Sequence, residues 1–225
     1  MQRLTLPGLI LFTVLTNLIP LYGVYSWGWA VRDVVLLYWV ETVIVGVTYV
    51  IRIWTKVNPE ESWPTTGGGW VLWGLLNTLA RGLTSAPFVV HFGGFCFILG
   101  MGLLAYFFYG TENFNHKMYE RVYAEGLVNG LYIAAFGVLV SHILLLAANW
   151  FGSGSYLRQK GTDGILRTYV RIGILMAVLI VPANMAEQSS AEWTAILVLV
   201  GLKIVIDLFF LVYEWWRGKE AATSK

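Results

Sequence analysis

Long, uninterrupted apolar runs limit what this chain can fold into more than any other feature. A helix needs about 20 predominantly apolar residues to cross the hydrocarbon core of a bilayer. The 225-residue chain offers six such stretches, at 3–24, 29–54, 86–108, 126–151, 166–185 and 193–216. In lipid, every backbone N–H and C=O must find its partner within the protein, which leaves helices and closed barrels. Runs this continuous read as helices. The make-up agrees, with 57% hydrophobic and 12% charged residues, where a soluble domain carries about 25% charged. The expected fold is an all-α integral membrane protein in a single domain spanning residues 1–225, with no internal repeat. Its first run contains Pro20 and no small-residue cleavage site, so it is expected to be a retained span.

The connections follow from turn chemistry. KVNPEESWPTTGGG (Lys56–Gly69) is polar and rich in Pro and Gly, the signature of a loop. The apolar stretch beginning at Trp70 is too long for one span, and Arg81, Ser85 and Pro87 divide it. Residues 70–84 are expected to form an interfacial amphipathic helix with Asn77 and Arg81 on its wet side. Pro87 suits the first turn of the third span.

Lysine and arginine positions orient the bundle. Of fifteen such residues, Arg32, Lys117 and Arg121 fall on one side of a six-span arrangement, Lys203 falls within a span, and the other eleven fall on the opposite side. Cytoplasmic loops carry the excess of positive charge, so both termini are expected in the cytoplasm of a prokaryotic inner membrane. The net charge of +2 carries no nucleic-acid signal. A single cysteine, Cys96, excludes an internal disulfide and a multi-cysteine metal cage, and its apolar setting suggests a packed thiol.

Ionisable side chains at membrane depth are expensive and usually mark function. Glu41, His91, His142, Lys203 and Asp207 are the candidates. At 1.5 Å per residue, Glu41 and Lys203 each lie about 20 Å from the cytoplasmic ends of their helices, which predicts a buried ion pair. His142 and Asp207 fall at about 14 Å and His91 at about 8 Å, the last near Arg171. Lys203, Asp207, Phe210 and Glu214 share one helix face, and Glu41, Val45, Thr48 and Arg52 share another, with Tyr38 one turn above. Such stripes suit a bundle interior or an inward-facing cavity formed by the second, third, fourth and sixth spans.

Three readings of this set compete. The charges could be structural glue in a scaffold or accessory subunit, since interhelical polar contacts set register. They could form a divalent-metal site (zinc or iron) with His91, His142, Glu41 and Asp207 as ligands and Lys203 neutralising Glu41. That site would act on a lipophilic small molecule or an ion. They could also relay protons in a transporter, with Glu41, Asp207 and His142 titrating. Trp39 and Ser141 support the site in each case. A homo-oligomer or a partner subunit is compatible with all three.

WGWAVRDVVLLYWVETVIVG (Trp27–Gly46), FVVHFGGFCFILG (Phe88–Gly100), Ser141–His142 and LKIVID (Leu202–Asp207) together resemble a prokaryotic family of polytopic membrane proteins that forms a domain of unknown function. The resemblance covers most of the chain. It implies that Tyr38, Trp39, Glu41, His91, Gly93, His142, Lys203 and Asp207 are characteristic positions of a shared site, and it implies no chemistry for that site.

Overall fold

The computed structural model describes residues 6–29, 31–57, 69–108, 130–152, 154–157, 168–170, 172–173 and 192–223. Its elements are α1 (Leu6–Asn17), α2 (Ile19–Trp27), α3 (Val31–Thr55), α4 (Gly69–Phe108), α5 (Leu131–Leu146) and α6 (Glu192–Thr223). A π-helical turn, Ala147–Gly152, continues α5, and a 3-10 turn, Ser155–Leu157, follows it. No strand occurs among the described residues. Five stretches there are long and apolar enough to cross a membrane: Leu6–Trp27, Asp33–Thr55, Val71–Leu103, Leu131–Gly152 and Ile196–Tyr213. The span expected at 166–185 lies outside the described residues except for 168–170 and 172–173, and so does Arg171.

Burial runs opposite to that of a water-soluble protein. Ile133, Phe136, Val205 and Phe209 are exposed, whereas Asn17, Glu41 and Lys203 are buried. A surface of this kind matches hydrocarbon better than water.

Two sequence expectations need correction. The first span, expected as one helix over 3–24, is the pair α1 and α2, interrupted at Leu18. Pro20 sits in the first turn of α2 and lacks an N–H, so the Thr16 carbonyl loses its donor four residues on. The break falls about 18 Å along the Leu6–Trp27 stretch, close to mid-span.

The second correction concerns the interfacial helix at 70–84 and the separate third span from 86. They are one 40-residue helix, α4, with Pro87 inside it. Proline removes only one hydrogen bond, here the one to the Leu83 carbonyl, and is tolerated inside spanning helices. Two hydroxyls of the preceding turn bond the helix backbone. Thr84 Oγ1 donates to the Ala80 carbonyl (2.7 Å) and Ser85 Oγ to that of Gly82 (3.2 Å). Arg81, expected to face water, instead caps the C-terminal end of α3. Its guanidinium donates to the carbonyls of Trp54 and of Lys56 (2.8 Å) and is braced by Asn77 Oδ1 (3.3 Å). A cation there satisfies orphan carbonyls and complements the helix dipole.

Helix α3 is the hub, packing on α4, α5 and α6, while α1 packs on α6. Hydrophobic burial cannot drive helices together in lipid, so close approach at small residues carries the packing. A Cβ at Gly46 would enter the Phe92 ring, and one at Gly100 would sit 2.6 Å from the Trp39 ring. Trp39 Nε1 also donates to the Cys96 carbonyl (2.9 Å).

One apolar cluster joins Val34, Leu37 and Tyr38 of α3 to Ala134 and Val138 of α5 and to Ile196, Leu199 and Val200 of α6. The matching order of these segments means that α3, α5 and α6 run in the same direction. One turn further along each helix stand Glu41, His142 and Lys203.

Candidate functional site

Lys203 organises the site. Its side chain is 4% exposed, and Nζ donates to Glu41 Oε1 (2.8 Å), to Asn17 Oδ1 (3.3 Å) and to Asp207 Oδ2. An ammonium has three donors, and these three acceptors come from α3, α1 and α6 itself. The same nitrogen lies 5.7 Å from the centre of the Tyr38 ring, within reach of a cation–π interaction. Asn17 Nδ2 donates to Asp207 Oδ2 (3.0 Å), so the asparagine bridges the lysine and the aspartate.

His142 approaches from α5. Its Nδ1 lies 3.0 Å from the Val138 carbonyl. That oxygen can only accept, so Nδ1 carries the hydrogen. Nε2 then faces Glu41 Oε1, 3.9 Å away. Ser141 Oγ donates to the same Val138 carbonyl (2.8 Å).

Glu41, Asp207, His142 and Ser141 line a cavity of about 210 Å³, and Lys203 stands behind the two carboxylates. Thr16 and Asn17 of α1, Thr48 and Arg52 of α3, Thr168, and Phe210 of α6 also face it. A second space of about 20 Å³, beside Glu41 and Lys203, has room for one water. The apolar cluster at Val34–Tyr38, Ala134–Val138 and Ile196–Val200 seals one end of the polar layer. From there the cavity follows the α3 stripe Glu41, Val45, Thr48, Arg52, so the residues grouped by helical phase share one space.

Arg52 lies in the last turn of α3, with its guanidinium carbon 5.7 Å from the centre of the Trp150 ring. Trp150 belongs to the π-helical turn and donates Nε1 to Thr55 Oγ1 (2.8 Å), which fixes the indole against the end of α3.

The structure therefore brings together Glu41, Lys203, Asp207 and His142, with Ser141 and Tyr38 alongside. It forms one cluster where the sequence heights implied two levels, because the lysine stem reaches along α6 to Asp207 four residues away. His91 is not part of it. It is exposed on α4 and pairs through Nδ1 with the Tyr169 hydroxyl (2.9 Å). The α4 face turned to α3 carries Phe88, Phe92 and Cys96, and one residue from Phe92 rotates a side chain by about 100°. The four-ligand metal set is consequently not assembled. Among the described residues, no three His, Cys, Asp or Glu side chains are placed to hold one ion. The third span's place in the site is taken by α1, through Asn17, Thr16 and Thr13. Asn17 escaped the sequence reading because only ionisable residues were weighed. A polar amide three residues before Pro20, mid-way along an apolar run, was the available signal. Trp39 supports the α3–α4 contact and does not line the cavity.

With this geometry in view, the family match is decisive for kinship. The chain belongs to DUF6498, a family of unknown function. The family profile matches residues 5–224, so it covers every element described above. No curated protein and no solved structure gives a significant match.

Proposed function

We propose that this protein is a proton-coupled membrane transporter whose working centre is Lys203, Glu41, Asp207 and His142. The observation carrying this reading is a lysine shared by two carboxylates that themselves line a cavity of the bundle, with an imidazole nitrogen of the same cavity wall 3.9 Å from one of them. Charges serving only as glue would be satisfied in pairs and packed dry. Here the triad holds one cation against two carboxylates, an arrangement that a proton on Glu41 or His142 would neutralise. The interrupted first span adds support, because spanning helices broken near mid-membrane recur at transporter binding sites. Thr16, whose carbonyl Pro20 deprives of a donor, lines the same cavity.

The cavity opens toward the Arg52 end of α3 in this reading. The distribution of lysine and arginine makes that end cytoplasmic, together with both termini. Labelling of single introduced cysteines at each terminus with a membrane-impermeant maleimide, in intact cells and in inverted vesicles, tests the orientation.

Infrared difference spectroscopy between about pH 8 and about pH 5 tests the proton reading. A protonated carboxyl in a dry site gives a C=O stretch distinct from that of a carboxylate. The expected result is such a band in wild type, lost in Glu41→Gln or in Asp207→Asn and altered in His142→Gln. Identical spectra in all four proteins would reduce the cluster to structural glue.

A further inference from the structure

We infer that the Arg52 end of the cavity is an oxyanion site and that the solute handled there carries a carboxylate or phosphate group. The inference rests on the transporter reading and gives its substrate a chemical class. Arg52 lines the same cavity as Glu41 and Asp207, yet no carboxylate pairs with it among the described residues. Its Nε is buried and has no hydrogen-bond partner there. A guanidinium always carries its charge and presents a planar fork of donors matched to carboxylate and phosphate. Leaving a buried donor of that kind unfilled is costly, and a bound oxyanion removes the cost.

The surroundings favour such a ligand. The Trp150 ring, held by Thr55, supports the guanidinium from one side and so limits its orientations before anything binds. Thr48 and Ser141 also line the cavity, and their hydroxyl hydrogens go to the Val45 and Val138 carbonyls (2.8 Å each), which leaves the Arg52 fork as the donor an anion would meet. Along α3, Arg52 is about 16 Å from Glu41, so a small anion at one end leaves the proton-exchanging centre at the other unobstructed.

Charge balance links the two ends. Among the described residues, Lys203 with Glu41 and Asp207 leaves one negative charge, and Arg52 supplies one positive charge. A proton added at Glu41 or His142 leaves the cavity with one uncompensated positive charge in a poorly polarisable setting. A monoanion beside Arg52 cancels it. Proton and oxyanion are therefore expected to bind with positive cooperativity, each raising affinity for the other by the same factor.

Calorimetric titration of the purified protein in phosphatidylcholine nanodiscs tests this, with sodium phosphate and sodium acetate as probes and sodium chloride as control. Saturable binding of phosphate or acetate is expected, tighter at lower pH. Arg52→Gln should weaken it by roughly 10- to 100-fold. Arg52→Lys keeps the charge and guards against misfolding as the cause, yet it should also bind more weakly because the fork is lost. Native mass spectrometry asks in parallel whether a phospholipid is retained by wild type and released by Arg52→Gln. That result, with no binding of soluble anions, would make the oxyanion a lipid headgroup. Binding that depends on Arg52 without pH dependence or an infrared carboxyl band would uphold the anion site and sink the proton reading. An infrared band accompanied by no oxyanion binding, or by binding indifferent to Arg52→Gln, would overturn the anion site and leave the proton reading standing.

Discussion

Replacing Lys203 by Met gives the sharpest test of how the centre is held. At 2.8 Å and an effective dielectric of about 20, the attraction between Lys203 and Glu41 is about 6 kcal/mol. Asp207 adds a second attraction of the same kind. Relaxation and carboxyl protonation recover part of the loss. Breaking a buried ion pair by removing one partner typically destabilises by about 3–5 kcal/mol, and Lys203→Met removes the cation that, among the described residues, bridges the two carboxylates. Glu41→Gln and Asp207→Asn each leave a neutral pair and should lose only about 1 kcal/mol. The triple variant Lys203→Met, Glu41→Gln, Asp207→Asn leaves no uncompensated charge, so it should return to within about 2 kcal/mol of wild type. Unfolding by sodium dodecyl sulfate in mixed micelles, followed by tryptophan fluorescence, measures all four; with 11 tryptophans the signal is ample. The reasoning is refuted if Lys203→Met matches wild type within about 1 kcal/mol, or if the triple variant is less stable than Lys203→Met alone.

Gly46→Leu should destabilise the bundle by about 1–3 kcal/mol through overlap with the Phe92 ring. Combined with Phe92→Ala, the loss should be smaller than the sum of the two single changes, a coupling that a double-mutant cycle in the same assay would reveal. Arg81→Ala leaves the Trp54 and Lys56 carbonyls uncapped and should cost about 1 kcal/mol. Faster amide exchange confined to the last turn of α3 would show it, and unchanged exchange would argue against the cap. Asn17→Leu removes an acceptor from Lys203 and a donor to Asp207, with an expected loss of about 1–3 kcal/mol. A variant as stable as wild type would mean the amide adds nothing to the triad.

Much of the architecture could be read from local pattern. The apolar runs that contain α1 with α2, α3, α5 and α6 were visible because a bilayer demands length and continuity, and both are properties of neighbouring residues. Helical phase placed Glu41, Val45, Thr48 and Arg52 on one stripe for the same reason, since 3.6 residues per turn is a local constant. Reading failed at Pro87, where a rule about proline in helices was outweighed by the small cost of one lost hydrogen bond in a long helix and by α3 packed alongside. It failed again at His91, whose chemistry suggested a ligand while its rotation on α4 carried it off the inner face.

Apolar length and the order of charges along the chain were enough to mark this as a set of helices long and apolar enough to cross a membrane, with ionisable groups within them. Those properties act through solvent, and solvent meets each segment separately. Whether Lys203 meets one carboxylate or two, whether Asn17 joins them, and whether Arg52 and Glu41 share a cavity depend on how α1, α3, α5 and α6 turn toward one another. The packing of Val34, Leu37 and Tyr38 against Ala134, Val138, Ile196 and Leu199 fixes how α3, α5 and α6 face one another through contacts between residues far apart in the chain, which no single segment encodes.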